Sequence, residues 1–192
     1  MMDTNQFMQN IEDMISNGIS AVHTACPATI VSFDAGTCIA SVKPIMTYYK
    51  TDGTTTDYPI IIGVPVFMPR AGAAQITYPV KEGDSCLLVF SERSLDEWMG
   101  KGNADSHDPR RYDLTDAFCF VGMCPTQSIS ADNVEVINGG TKISLTPGNT
   151  INIVGNINVQ GTITCTGDVI GAGISLDGHV HSYHHGTTSP PQ

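Results

Sequence analysis

Residues 128–176 carry the pattern that most limits how this chain can fold. Single aliphatic side chains alternate there with Asp, Asn, Thr and Ser, and many fall on odd positions: Ile143, Leu145, Ile151, Ile153, Ile157, Val159, Ile163 and Cys165. Glycines at 155, 161 and 167 recur every six residues. Since side chains in a strand alternate between its two faces, the pattern predicts a repeat of very short β-strands with one apolar face.

No helical segment in this part of the sequence could cover that face. A lone chain of short strands buries too little apolar surface to offset the entropy of ordering it. Three copies wound about a common axis would bury the aliphatic side chains and protect the strand edges. We therefore predict an intertwined trimeric β-helix or β-prism over residues 127–176. A single-chain β-helix is the alternative, and it normally needs longer and more numerous coils.

The last segment, residues 177–192, contains His179 and His181 on either side of Val180. In an extended chain residues i and i+2 point to the same side, so both imidazoles can bind one metal ion. Three copies would supply six nitrogens to an octahedral site, which suits Fe, Ni, Cu or Co better than structural Zn, Ca or Mg. A filled shell leaves no place for a substrate, so the ion would be structural. The alternative is a pair of solvated histidines, as we expect for His184 and His185.

The first segment, residues 1–26, is predicted to be a helix and a linker. Apolar residues recur at spacings of three and four over residues 4–23, which predicts an amphipathic helix: Phe7, Ile11, Met14, Ile15, Ile19 and Val22. Thr4 or Asn5 could cap it. The apolar stripe could pack on the helix's own domain or dock on a neighbouring subunit, and the sequence leaves both possibilities open.

Residues 27–126 predict a compact β domain. Apolar runs such as ATIVSFD, ITYPV and SCLLVF are separated by turn signals. Five or six strands in such a length favour a small Greek-key barrel of the oligonucleotide/oligosaccharide-binding (OB) type. Residues 94–102 predict a short helix that starts at Ser94 and ends at Gly100 or Gly102. The polar loop that follows is more typical of a solvated loop than of a metal site, although it holds four possible ligands: Asp105, His107, Asp108 and Asp113.

Charge and composition exclude several functions. The net charge of −10 disfavours nucleic acid and anionic lipid as partners, because both require a basic patch. The six cysteines form no CxxC pair, so free thiols are expected. No nucleophile–base set stands out, and the protein is predicted not to be an enzyme. Asp96 and Glu97 beside Trp98 could imitate a glycosidase acid pair, but a solvated helix face is the favoured interpretation.

Several stretches together resemble the central spike of contractile-tail phage baseplates, a family with an N-terminal OB domain, a trimeric β-helix and an iron-bearing tip. The resemblance rests on the following ranges: 64–70 (VPVFMPR), 75–80 (QITYPV), 83–93 (GDSCLLVFSER), 108–114 (DPRRYDL) and 167–181 (GDVIGAGISLDGHVH). The tail at 187–192 (TTSPPQ) is similar in style to the family's Gly/Pro-rich end.

The resemblance implies a homotrimer in which His179 and His181 of each chain bind one Fe ion on the axis. It implies a structural baseplate spike that pierces the host outer envelope when the tail sheath contracts. The spike would be assembled in the host cytoplasm and carried in the virion, with its N-terminal region attached to baseplate hub and tail tube proteins. No nucleic acid or small-molecule substrate is expected. The alternatives are a metal-dependent enzyme that uses the C-terminal histidines, a secretion-system or bacteriocin spike, and a trimeric tail adhesin.

Overall fold

The structure is a computed structural model that describes residues 3–50, 53–102, 107–123, 126 and 128–189. The chain divides into two compact units, residues 1–127 and 128–192. The first unit consists of an N-terminal helix, a curled antiparallel sheet and one further short helix. The second consists of short antiparallel strands alone. The prediction of a mainly β protein with an N-terminal helix is confirmed.

Helix α1 spans Thr4–Ser20, close to the predicted range. Asp3 caps it, accepting a hydrogen bond from the Asn5 backbone N–H at 3.4 Å, so the prediction of Thr4 or Asn5 as the cap was wrong. None of its residues is buried. The apolar stripe of α1 is therefore not packed on its own domain. In the part of the chain that the structure describes, no helix is long and apolar enough to cross a membrane.

The described residues of the first unit form nine strands: β1 (Ala25–Asp34), β2 (Ile39–Pro44), β3 (Thr47–Tyr49), β4 (Thr55–Asp57), β5 (Ile61–Pro65), β6 (Arg70–Ala71), β7 (Ala74–Gln75), β8 (Ser85–Phe90) and β9 (Ala117–Val121). Five of them form one sheet in the order β5-β2-β1-β8-β9, with every neighbouring pair antiparallel. The pairs β3–β4 and β6–β7 are separate hairpins. The predicted strand ITYPV lies outside all of these elements.

The sheet curls because its central strands are irregular. The register shifts between Ile30 and Ser32 in β1, and again between Ala40 and Val42 in β2. Such bulges increase the local twist and bend a strand. The two sheet edges meet just beyond β5, where the Phe67 N–H donates to the Cys119 carbonyl at 2.8 Å. The result is a half-barrel.

The core of this unit lies inside the curl. Twelve buried apolar residues form it: Ala28, Ile30, Ala40, Val42, Ile61, Val64, Val66, Cys86, Leu88, Phe90, Ala117 and Cys119. In β2 and β8 they occupy every second position, as period-two alternation predicts. Cys86 and Cys119 are free thiols packed among aliphatic side chains, where cysteine behaves as a small hydrophobe.

Helix α2 spans Asp96–Lys101 and ends at Gly102, whose φ of 70° is the left-handed conformation typical of a helix C-terminus. That end is the one the sequence predicted. The start differs, because the helix begins after Leu95, and no side chain caps it. The Ser94 hydroxyl nevertheless accepts a long hydrogen bond from the Asp96 N–H at 3.4 Å.

The second unit begins with a three-stranded antiparallel sheet, β10 (Val134–Asn138), β11 (Thr141–Leu145) and β12 (Ile151–Val154). Residues 156–169, all of them described, contain no regular strand. Two minimal hairpins follow. The first pairs β13 (Ile170–Gly171) with β14 (Ile174–Ser175), and the second pairs β15 (Ser182–Tyr183) with β16 (Gly186–Thr187).

One face of the three-stranded sheet carries six aliphatic side chains, whereas the other mixes polar and charged groups with Ile137 and Val154. The register aligns Val134 with Leu145 and Ile151, and Val136 with Ile143 and Ile153, so these six side chains share one face. On the opposite face the Lys142 ammonium lies 2.9 Å from the Glu135 carboxylate. That contact lowers the pKa of Glu135 below its usual value. All six apolar residues are exposed in the single chain.

Candidate metal centre

The segment Leu176–His181 joins the two minimal hairpins and carries the predicted metal ligands. Backbone N–H groups tie its start to residues 168 and 169, just before β13: the Leu176 N–H donates to the Val169 carbonyl at 2.8 Å. The Asp177 N–H donates to the Asp168 carboxylate at 3.0 Å. This backbone bond is the largest reason that the pKa of Asp168 is lowered. The position of the chain just before His179 is therefore fixed by its own polar groups.

His179 is half-buried, and its ring is held by two carbonyl groups. Its Nδ1 lies 3.0 Å from the Ser175 carbonyl oxygen and 3.1 Å from that of Leu176. A carbonyl oxygen can only accept, so Nδ1 must carry the proton in this arrangement. In the neutral ring Nε2 therefore keeps its lone pair. This is the usual arrangement of a metal-binding histidine, whose other nitrogen donates to a carbonyl or carboxylate.

His181 occupies the open end of the second hairpin. Its backbone N–H donates to the Thr188 hydroxyl at 2.9 Å, and its carbonyl accepts from the Thr188 N–H at 2.9 Å. The two imidazoles lie next to each other, with ring centroids 5.2 Å apart and ring planes at 89°. The edge of one ring faces the other, and the side chain of His181 is exposed.

Chemically this pair can supply two imidazole ligands and no more. Among the described residues, no group of three or more His, Cys, Asp or Glu side chains is arranged to hold a metal ion. A closed site on these two residues would need further ligands in addition to them. The donor set is nitrogen alone, which fits iron and the later transition metals better than calcium or magnesium.

His184 and His185 have a different setting. They are the two turn residues between β15 and β16, and their ring centroids are 4.4 Å apart. A two-residue hairpin turn directs its side chains away from the strand pair. The sequence predicted solvated histidines here, and both side chains are exposed at the tip of the last hairpin.

The polar loop before β9 contains an arginine that the sequence analysis overlooked. The Arg110 guanidinium donates to Asp108 at 2.8 Å, to Ser94 at 2.6 Å and to the Asp96 carboxylate. It also donates to the Thr115 hydroxyl at 3.1 Å. These bonds raise the pKa of Arg110, mainly through Asp108. The only sign of this role in the sequence was the Arg110–Arg111 pair, which is flanked by aspartates in a chain with few cationic residues.

The other carboxylates of this region also have structural partners. Asp113 accepts from the backbone and hydroxyl groups of Thr115, which lowers its pKa. Asp116 is 2% exposed and accepts from the Leu95 N–H at 2.9 Å. Burial raises the pKa of Asp116 although Arg110 lies 3.5 Å away. Asp105, a fourth candidate ligand, lies outside the described residues.

A comparison with known families matches the region of the curled sheet. The family model described as Phage protein Gp138 N-terminal domain matches residues 26–122, just over half of the 192-residue chain. The chain belongs to this family. It is thus a phage protein, which indicates a structural, virion-associated role. No curated protein matches the chain.

Proposed function

We propose that the protein is the central spike of a contractile-tail phage baseplate, active as a homotrimer. In this proposal the half-barrel is an OB-type barrel, and residues 128–176 of three copies wind into one β-helix. His179 and His181 of the three copies hold a single iron ion at the tip. The N-terminal region attaches to hub and tail tube proteins, and sheath contraction drives the tip through the host outer envelope.

The observation that carries the trimer is the apolar face of the β10–β12 sheet. Six aliphatic side chains point to one side of a sheet that has only three short strands, and in the described part of the chain all six remain exposed. Further along, Ile157 and Ile163 are also exposed in a stretch without regular strands. Exposed apolar surface of this extent is typical of a protein interface. The same segment of other copies is the simplest partner for this apolar face, because each copy has the same face to bury.

The pair of imidazoles supports the proposed metal site by a similar argument, because one chain supplies only part of what the site needs. One chain offers two nitrogens with Nε2 of His179 free, and three chains would offer six. A shell filled by protein ligands leaves no position for a reacting molecule, so the ion is structural and the protein is not an enzyme. An ion that binds only the assembled tip stabilises the assembled state.

The surface chemistry suits a part that passes through an envelope. Three copies carry a large negative charge, since each contributes −10. A strongly charged exterior keeps the spike soluble and does not favour its insertion in a membrane. The metal would hold three chain ends together at the point where force is applied.

The decisive experiment measures mass and metal together on the full chain. Light scattering should give three times the chain mass, and elemental analysis should find one iron per three chains. His179→Ala combined with His181→Ala should remove the metal and leave the trimer. His184→Ala combined with His185→Ala is the matched control, because it deletes the same number of imidazoles a few residues away and should retain the metal.

Two results would contradict the proposal. A monomer at micromolar concentration would rule out the spike architecture. One metal per trimer retained by the His179/His181 double variant would rule out the ligand assignment. Anomalous scattering at the iron and zinc absorption edges identifies the element, and a signal at the zinc edge alone would exclude iron.

A further inference from the structure

Helix α1 presents an apolar stripe that its own chain leaves uncovered. Phe7, Ile15 and Ile19 are all exposed, and no residue of the helix is buried. Glu12 lies along the same edge as Ile15 and Ile19. The helix contains no Lys or Arg, and its charged side chains are Glu12 and Asp13, so its net charge is negative. An amphipathic helix of this kind normally packs its stripe against another surface.

The half-barrel carries an exposed aromatic surface that complements the apolar stripe of α1. A cleft of about 860 Å³ lies where the sheet edges meet, and its walls include Phe67, Met68, Arg70, Trp98, Phe118 and Phe120. Phe67 stacks on Phe120 with ring centroids 5.0 Å apart. Trp98 meets Phe118 edge to face at 5.6 Å. Phe67 and Trp98 remain 49% and 43% exposed, which is unusual for aromatic side chains in a ready-made cleft.

Charge complements shape at this cleft. Arg70 is the one charged residue among the described residues that line it. The cleft therefore favours an apolar ligand with an acidic edge, and α1 has an apolar stripe with Glu12 beside it. A helix of 17 residues is about 25 Å long, similar to the diameter of a small domain, so it can reach from one domain to the next.

We infer that α1 of one copy docks in the aromatic cleft of the next copy. The inference rests on the proposed trimer, which supplies the neighbours. A contact between two different surfaces of the same chain closes into a ring when the copies are related by threefold rotation. Each copy then gives one helix and receives one. The polar face of α1 stays outside, where the hub would bind.

The chain has a single tryptophan, Trp98, and it lies in the cleft. Its fluorescence therefore reports directly whether the cleft is occupied. The test compares the full-length protein with Ile11→Asp/Ile15→Asp, which places two charges on the stripe. The matched control is Gln6→Asp/Gln9→Asp, which adds the same charges to exposed positions away from it.

In the wild type we expect Trp98 to emit at short wavelength and to resist acrylamide quenching. The stripe variant should shift the emission to longer wavelength and raise the quenching constant several-fold, while the control behaves as the wild type. Light scattering should show all three as trimers. Equal quenching in all three trimers would overturn the docking and leave the spike proposal intact, whereas a monomeric wild type would overturn both.

Mixed trimers distinguish docking between copies from docking within one copy. Chains with Ile11→Asp/Ile15→Asp and an intact Trp98 are co-expressed with an excess of Trp98→Phe chains that keep the wild-type helix. The only tryptophan then lies in chains whose own helix is defective. Protection of Trp98 from acrylamide would show that a neighbour's helix covers it. Trp98 as exposed as in the homotrimeric stripe variant would overturn the inference.

Discussion

The apolar face of the second unit can be probed through Ile151 and its neighbour Asn152. Ile151 is 63% exposed in the single chain, so a charge at this position should leave the folded unit intact. In the proposed trimer the same side chain becomes buried. Asn152 points to the opposite face, where its strand partner is Ser144. Ile151→Asp and Asn152→Asp therefore introduce the same charge on opposite faces at adjacent positions.

The expected cost follows from the area that remains to be buried. Full burial of an isoleucine side chain stabilises by about 1.5–3 kcal/mol, so the exposed part of Ile151 accounts for roughly 1–2 kcal/mol per chain. Three copies bring this to roughly 3–6 kcal/mol per trimer, or about two to four orders of magnitude in the association constant. The unpaired buried carboxylates increase the loss further.

Sedimentation equilibrium over a range of concentrations measures this constant directly. We expect Ile151→Asp to dissociate at concentrations where the wild type and Asn152→Asp remain trimeric. Circular dichroism of the dissociated variant should still show the β signal of the first unit. If both variants associate equally well, the apolar face is not the trimer interface, and the reasoning from its exposure is wrong.

Three further predictions concern the two units separately. Arg110→Ala should destabilise the first unit by roughly 2–4 kcal/mol, because it removes the guanidinium that bonds to buried Ser94 and half-buried Asp108. Arg110→Lys should lose less, and thermal unfolding measures both variants. The pKa values of Asp108 and Asp113 are lowered in the folded state. The stability that these two carboxylates contribute is therefore present above their unfolded pKa and is lost as the pH falls below about 4. Asp108→Asn should flatten this acid dependence of the unfolding midpoint. Ala172 and Gly173 form the β13–β14 turn with φ of 50° and 83°, a conformation that favours glycine. Ala172→Gly should therefore slow amide exchange in that hairpin, and Gly173→Val should accelerate it. The same exchange rate in both variants would contradict the argument that these positions are strained for residues other than glycine.

Local patterns in the sequence predicted several elements well. The three- and four-residue spacing of apolar residues gave α1 within a few residues of its observed end. Period-two alternation placed Ile143, Leu145, Ile151 and Ile153 on one face, which the strand register confirms. Gly102 marked the end of α2 because only a residue that tolerates positive φ fits there. These features depend on neighbours in the chain, so a single sequence contains them.

Other features were missed: one is a choice between neighbouring residues, and the others depend on residues far apart in the chain. Asp3 rather than Thr4 caps α1 because the start of a helix depends on which side chain first reaches a free N–H. ITYPV has the composition of a strand but finds no partner in the sheet. The aromatic cleft assembles from β9, α2 and the residues after β5, which no local pattern connects.

The sequence by itself determined the mainly β class, the helix at the N-terminus, the one-sided apolar repeat and the His179/His181 pair. Each of these follows from side-chain spacing within a few residues. Only the tertiary structure decided that Arg110 joins the loop to α2, that the sheet curls into a half-barrel, and that the α1 stripe remains uncovered. The physical reason is that burial and strand pairing depend on contacts between segments that are distant in the chain, and these contacts exist only after the chain has folded.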